Sequence, residues 1–142
     1  MLTRRGFAGV ATCWICATTS GFIATDASAQ GAPPAATPGL KRKILSQIDG
    51  PMAGYVTIIA EVEIDAGVMI ARHTHPGIES GYVIEGNIDL PVQGRPTVSL
   101  KAGDGFQVPP NTPHAGAKNG DKMTKVVSTY IVEKGKPLAS PA

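Results

Sequence analysis

Short runs in which hydrophobic and polar residues alternate recur along this chain, and glycine or proline separates one run from the next. The clearest run covers residues 55–65, YVTIIAEVEID. Its apolar residues occupy every second position: Val56, Ile58, Ala60, Val62 and Ile64. A period of two predicts a strand with one buried face. About nine short runs follow one another with turn signals between them, and no stretch has convincing helical periodicity, so the pattern predicts an all-β sandwich or barrel.

The folded part of the chain is predicted to be one domain. We expect its first strand at residues 41–49 and the barrel to cover residues 41–133. Residues 30–40 are rich in proline, alanine and glycine, which predicts a flexible linker. Residues 134–142 are rich in proline, serine and alanine, which predicts a disordered tail.

The first 29 residues have the pattern of an export signal. Arg4 and Arg5 precede a moderately apolar stretch, and the small residues of 27–29, ASA, predict cleavage after Ala29. The paired arginines followed by Gly-Phe resemble a twin-arginine signal, which exports folded proteins from the bacterial cytoplasm. We therefore expect a periplasmic or secreted protein. An uncleaved membrane anchor is the alternative, but glycine, threonine and serine dilute the apolar run.

Cysteine and charge exclude several classes of function. Cys13 and Cys16 both lie in the predicted signal, so the mature protein would have neither a disulfide nor a thiolate ligand. Of the 13 basic and 11 acidic side chains, removal of the signal takes Arg4, Arg5 and Asp26, which leaves 11 and 10. This balance, without a basic stripe, gives no support for nucleic acid as a partner or for electrostatic attachment to membranes after signal cleavage.

Four residues with metal-binding side chains lie in two stretches that contain glycine and proline. His73 and His75 are two positions apart, so in a strand they project from the same face. A Pro-Gly pair then predicts a turn that can bring Glu79 back beside them. His114, the third histidine of the chain, follows a second such element. Converging imidazole and carboxylate groups predict a site for a divalent metal ion.

The spacing of these residues resembles the first motif of the cupin superfamily, G-x5-H-x-H-x3-E-x6-G. The matching positions are Gly67, His73, His75, Glu79 and Gly86. The resemblance implies a single-domain cupin with the double-stranded β-helix, or jelly-roll, fold.

Residues 103–119 resemble the second cupin motif, G-x5-P-x-G-x2-H-x3-N, through Gly103, Pro109 and His114. Asn111 stands where the family has glycine, and Asn119 lies one place beyond the expected asparagine. Because asparagine tolerates left-handed backbone geometry better than other residues with side chains, we expect Asn111 to preserve the turn.

The resemblance implies that His73, His75, Glu79 and His114 hold one divalent metal ion. Four ligands leave two positions of an octahedron open, as a catalytic or ligand-binding metal requires. Iron or manganese is favoured, because a protein exported already folded would take its metal in the cytoplasm; nickel, copper and zinc are the alternatives.

A metal-dependent oxidoreductase of dioxygenase type, acting on a small organic substrate, is the function we expect by analogy with the family. All three histidines are expected to bind the metal, so none is left to act as a general base. Glu85 is the carboxylate that we expect to assist as a catalytic base. Gly81 is expected to open space beside the metal. The alternative is a non-enzymatic periplasmic protein that binds a small ligand or a metal. The family also implies a homodimer, with residues 41–49 as a plausible exchanged edge strand.

Overall fold

A computed structural model describes residues 37–116 and 120–142 of the chain. The predicted export signal at residues 1–29 and residues 30–36 of the predicted linker lie outside the described residues, as does Asn119.

Ten strands are formed by the described residues, and their order along the chain is that of an all-β domain. The strands are β1 (Leu40–Asp49), β2 (Tyr55–Ile64), β3 (Ile70–Thr74), β4 (Gly77–Glu85), β5 (Asn87–Leu90), β6 (Val98–Lys101), β7 (Gly105–Val108), β8 (His114–Gly116), β9 (Thr124–Glu133) and β10 (Ser140–Pro141). None of the described residues forms a helix long and apolar enough to cross a membrane.

The strands form three antiparallel sheets. A five-stranded sheet has the order β1-β2-β9-β4-β7, a three-stranded sheet the order β10-β3-β8, and β5 pairs with β6. A bridge between Val92 and His114 joins the loop after β5 to β8. The all-β prediction is confirmed, and strands that are distant in sequence supply the walls around one interior.

The alternation in β2 determines which of its side chains enter that interior. Its five apolar residues at even positions are all buried, and β9 repeats the pattern from Thr124 to Val132 beside it. Full burial of one aliphatic side chain stabilises the fold by about 1.5–3 kcal/mol. The buried side chains of these two strands form much of the core. Because their register is antiparallel and unbroken over ten residues, they form a rigid support for the strands that carry the polar site.

The prediction that residues 134–142 form a disordered tail is wrong. β10 pairs with β3 through Ser140 and Pro141, and Leu138 is only 7% exposed. Leu138 packs in a cluster with core residues of β2 and β9. The small and proline residues of this segment suit a short edge strand, and one buried leucine is enough to fix it to the barrel.

The turn before His114 keeps the geometry expected of a glycine. Asn111 has a φ of 53°, in the left-handed region, and its N–H donates to the carbonyl of His75 at 2.9 Å. The expectation that asparagine preserves this turn is confirmed, and the hydrogen bond ties the second metal-binding stretch to the first.

Candidate metal centre

The two sequence stretches meet on adjacent strands of the three-stranded sheet. His73 in β3 is the register partner of His114 in β8, and their ring centroids are 4.3 Å apart. His75 lies just beyond the end of β3, with its ring centroid 4.9 Å from that of His73 and 5.1 Å from that of His114. The structure thus brings all three predicted histidines into one cluster.

Each histidine is oriented by a hydrogen bond to a backbone carbonyl. The Nδ1 atoms of His73, His75 and His114 lie 2.8, 2.5 and 2.9 Å from the carbonyl oxygens of Ala71, Leu138 and Thr112. A carbonyl oxygen can only accept, so each Nδ1 carries a proton, and Nε2 is the ring nitrogen left to bind a cation. A backbone acceptor for the other ring nitrogen is the usual way in which a protein orients a metal-binding histidine.

Glu79 brings a carboxylate to the same point. It lies in β4 after the predicted turn, and its Oε2 is 3.2 Å from Nε2 of His75 and 3.2 Å from Nε2 of His114. Its other oxygen, Oε1, accepts a hydrogen bond of 2.8 Å from the Ser128 hydroxyl. Ser128 therefore holds the carboxylate with one oxygen directed toward the imidazoles.

These atoms fit a bound cation. Nε2 of His75 is buried and has no hydrogen-bond partner among the described residues, and the carboxylate of Glu79, 3.2 Å away, also offers electron pairs. Donors about 2.1 Å from a shared octahedral ion lie about 3 Å apart when they are at right angles, which matches the spacing of Glu79 to its two imidazoles. The three histidine ligand atoms lie within 4.8 Å of one another, so the three histidines can together hold a metal ion.

The electrostatics of the cluster favour the protonation states that a metal requires. Burial lowers the pKa of His73 to about 4, because a charged ring would lose its hydration, and its ring is therefore neutral at pH 7. Burial alone would raise the pKa of Glu79, but the adjacent His114 and His75 rings lower it well below its usual range.

A cavity of about 50 Å³ adjoins the cluster, and we call it the inner pocket. Its lining includes His73, Glu79, Phe106, Tyr130 and Arg42. Tyr130 is 1% exposed, and its ring centroid lies 4.9 Å from that of His75. Burial, followed by the adjacent Glu79 carboxylate, raises the pKa of Tyr130, so its phenol stays neutral. The inner pocket is mainly apolar, with its polar groups concentrated at the imidazoles.

Two sequence predictions about the surroundings are wrong. Glu85 is exposed, follows a register irregularity after Val83, and is absent from the lining of the inner pocket. Past that irregularity its side chain no longer shares the inward face of Glu79. Gly81 leaves no open space, because a Cβ there would lie 2.1 Å from the Phe106 ring. The missing side chain instead lets that ring pack directly against the strand.

The structure adds three groups to the site that the sequence motifs did not indicate. Ser128 fixes Glu79, the carbonyl of Leu138 fixes His75, and Arg42 reaches the inner pocket from β1. Ser128 could have been found from its even position in β9, which it shares with Tyr130. The contribution of Leu138 had no sequence signal, since it depends on a backbone atom.

Comparison with known proteins agrees with this architecture. A cupin domain model matches residues 60–130, half of the chain. No curated protein has a significant match. A protein with a double-stranded β-helix domain from Klebsiella pneumoniae is 20% identical, with a TM-score of 0.57 over 69% of this chain and 81% of its own.

Two solved enzymes have a similar fold. The polyketide cyclase RemF from Streptomyces resistomycificus is 22% identical, with a TM-score of 0.57 over 74% of this chain and 72% of its own. The DMSP lyase DddQ from Ruegeria pomeroyi is 21% identical, with a TM-score of 0.56 over 65% of this chain and 46% of its own. At these identities the likeness concerns the fold alone. With the family match over half of the chain and the double-stranded β-helix architecture, the chain belongs to the cupin family.

Proposed function

We propose that this cupin binds one divalent metal ion through the Nε2 atoms of His73, His75 and His114 and the carboxylate of Glu79. We further propose that it is a metal-dependent oxidoreductase of dioxygenase type with a small organic substrate. The observation that supports this function best is the convergence of three backbone-oriented imidazoles on a buried carboxylate, with one Nε2 lacking any partner.

The side chains around the centre have distinct tasks in this proposal. A redox-active ion held there would supply dioxygen activation, or polarisation of a bound substrate. Ser128 keeps Oε2 of Glu79 directed at the imidazoles, and the neutral Tyr130 phenol is a nearby hydrogen-bond donor. Phe106 and the aliphatic lining keep bulk water from the reacting groups. Among the described residues that line the inner pocket, no carboxylate other than Glu79 is available as a general base, which favours chemistry carried by the metal.

Iron or manganese is the proposed metal, with nickel, copper and zinc as alternatives. Imidazole and carboxylate ligands accept all five ions, and copper and zinc bind most such sites more tightly. Folding before export would let the protein take its metal in the cytoplasm, where it does not meet periplasmic copper or zinc. Elemental analysis of protein purified from the periplasm tests the assignment, and stoichiometric zinc or copper would overturn it.

Oxygen consumption separates an oxidoreductase from a binding protein. Iron-loaded protein should consume oxygen with at least one member of a panel of small phenols, diketones and thiols, and the His75→Ala variant should not. No turnover with any metal would favour the alternative function, a non-enzymatic periplasmic protein that binds a small ligand or a metal. The small volume of the inner pocket supports that alternative.

Export through the twin-arginine route is part of the proposed function. It is supported by Arg4 and Arg5, the apolar stretch that follows them, and the small residues before Gln30. Replacing both arginines with lysine should retain the protein in the cytoplasm, and cell fractionation measures the change. Unaltered export of that variant would contradict the route.

A homodimer through β1 is the proposed assembly. β1 is a terminal strand of the five-stranded sheet and exposes Ile44, Leu45 and Ile48, of which Ile48 is 66% exposed. Apolar side chains on an edge strand favour pairing with a second copy. Light scattering should give twice the monomer mass, and Leu45→Glu should reduce it to that of the monomer.

A further inference from the structure

A second cavity lies outside the inner pocket, and the two share a wall. This outer groove has a volume of about 350 Å³, which suits a small organic molecule, and lies between β1, β3 and β10. Arg42, Ile70 and His73 line both cavities. A ligand seated in the outer groove would therefore extend toward a histidine of the proposed metal centre.

Arg42 lies where the two cavities meet. It is the register partner of Val62, whose side chain faces the barrel interior, so β1 directs the guanidinium inward rather than to solvent. It is close enough to Tyr130 for its positive charge to favour ionisation of the phenol, although burial keeps the pKa of Tyr130 raised. The neighbouring Lys41 and Lys43 are exposed on the opposite face of the strand.

The guanidinium of Arg42 has no anionic partner in the described part of the chain. Its Nε is buried without a hydrogen-bond partner, and no aspartate or glutamate lies within ion-pair distance of it there. The residues around it include Leu40, Ile70 and Val62, whose side chains offer no acceptor. A partly buried arginine left unpaired in such surroundings is costly unless a ligand compensates its charge.

The walls of the outer groove carry one sign of charge. Arg72 is a second cation on its lining, and its Nη2 donates to Gln93 at 2.6 Å, which fixes the side chain in place. Among the described residues, no acidic side chain lines the groove, and the remaining wall is largely aliphatic or proline. A groove with this charge attracts an anion and tolerates an apolar body.

We propose that Arg42 binds the carboxylate of a small organic acid whose apolar part reaches the inner pocket. A planar guanidinium matches the geometry of a carboxylate, which can accept two parallel hydrogen bonds from it. This inference rests on the proposed function, because it names the substrate class of that same site. It predicts a monocarboxylate rather than a neutral molecule.

Calorimetric titration with benzoate and with its neutral counterpart benzamide tests the assignment. Benzoate should bind the purified protein at least about tenfold more tightly than benzamide, and Arg42→Met should remove that preference by lowering benzoate affinity about tenfold or more. Arg42→Lys, which keeps the charge without the planar fork, should retain an intermediate affinity. Lys41→Met removes the adjacent exposed charge and should leave benzoate affinity unchanged.

Several outcomes would overturn the carboxylate site. These are equal binding of benzoate and benzamide, no binding of benzoate by the parent protein, parent-like affinity in Arg42→Met, tighter binding of inorganic phosphate than of benzoate, or an equal loss in Lys41→Met. Thermal unfolding compared with Lys41→Met checks that Arg42→Met is folded, and if it is not, Arg42→Lys carries the test.

Metal analysis distinguishes this proposal from the proposed function. Arg42→Met should retain the parent's metal content, and the benzoate preference of the parent should persist after chelation. A protein that holds no metal but loses benzoate affinity on Arg42→Met would overturn the metal centre and leave the carboxylate site standing. Full metal content without the benzoate preference would overturn the carboxylate site and leave the metal centre standing.

Discussion

The inner pocket and the outer groove share His73 but are built in different ways. In the inner pocket, the ring nitrogens and carboxylate oxygens are oriented by other protein groups toward one point. In the outer groove, Arg42 is directed into the cavity, and its buried Nε has no acceptor in the described part of the chain. The difference indicates that the inner pocket is organised around a small cation, whereas the outer groove is left to be completed by an anion. Substitution of Arg42 should therefore weaken anion binding without loss of the metal, and substitution of a proposed metal ligand should weaken metal binding.

Removal of a proposed metal ligand beside the inner pocket is the strongest test of this separation. His75→Ala should abolish metal retention through dialysis, because it removes a buried lone pair that has no other partner. Elemental analysis measures the occupancy. Full occupancy in the variant would contradict the assignment of the centre.

Loss of the Glu79 charge should have the next largest effect. Glu79→Gln preserves shape but removes the one carboxylate that the described residues bring to the inner pocket, and should weaken metal affinity roughly a hundredfold or more. Glu85→Gln is the matched control on the same strand, and because Glu85 is exposed it should leave affinity unchanged. Competition with a chromophoric chelator measures both, and equal affinities for the two variants would contradict the prediction.

Deletion of residues 137–142 should disturb both cavities. It removes the carbonyl that accepts from His75 Nδ1, and loss of such an outer partner typically weakens metal binding by about 10–100-fold. Leu138→Ala keeps the carbonyl, so it should lower the melting temperature with a smaller change in metal affinity. Similar metal affinities for the deletion and the parent would show that this hydrogen bond is dispensable.

The smallest expected effect is a dependence of stability on pH in the metal-free protein. Because the folded-state pKa of His73 is lowered from 6.5 to about 4, the unfolded chain binds the extra proton first, and stability falls as the pH drops from 6.5 to 4. The lowered pKa of Glu79 adds a further loss below about 4.5. Urea unfolding in the presence of a chelator measures the slope.

His73→Gln removes the first of these titrations and should flatten the profile between pH 6.5 and 4. A parent protein whose free energy of unfolding is constant over that range would contradict the neutral, buried state of His73.

The sequence predicted the proximity of the three histidines and Glu79 well, because their positions follow local rules. Strand parity placed His73 beside His75, and the Pro-Gly turn returned Glu79 to them. Even Asn111, a departure from the family pattern, adopted the geometry expected of it. The ligand spacing is therefore encoded within short stretches of the chain.

The surroundings were harder to predict because they depend on register between distant segments. Glu85 is exposed because the strand pairing is irregular after Val83, and counting alternate residues along the sequence cannot predict such an irregularity. Phe106 fills the space beside Gly81 only because β7 pairs with β4. Arg42 enters the site through its pairing with Val62, and nothing in its own neighbourhood of the sequence indicates that.

The hydrogen bond from His75 to Leu138 also has a consequence for biosynthesis. A chain emerges from the ribosome N terminus first, so the carbonyl that aligns His75 is made after all four proposed ligands. A chain that ends before Leu138 would lack this carbonyl and would hold the ion less firmly. Metal uptake would in this way discriminate finished molecules from truncated ones.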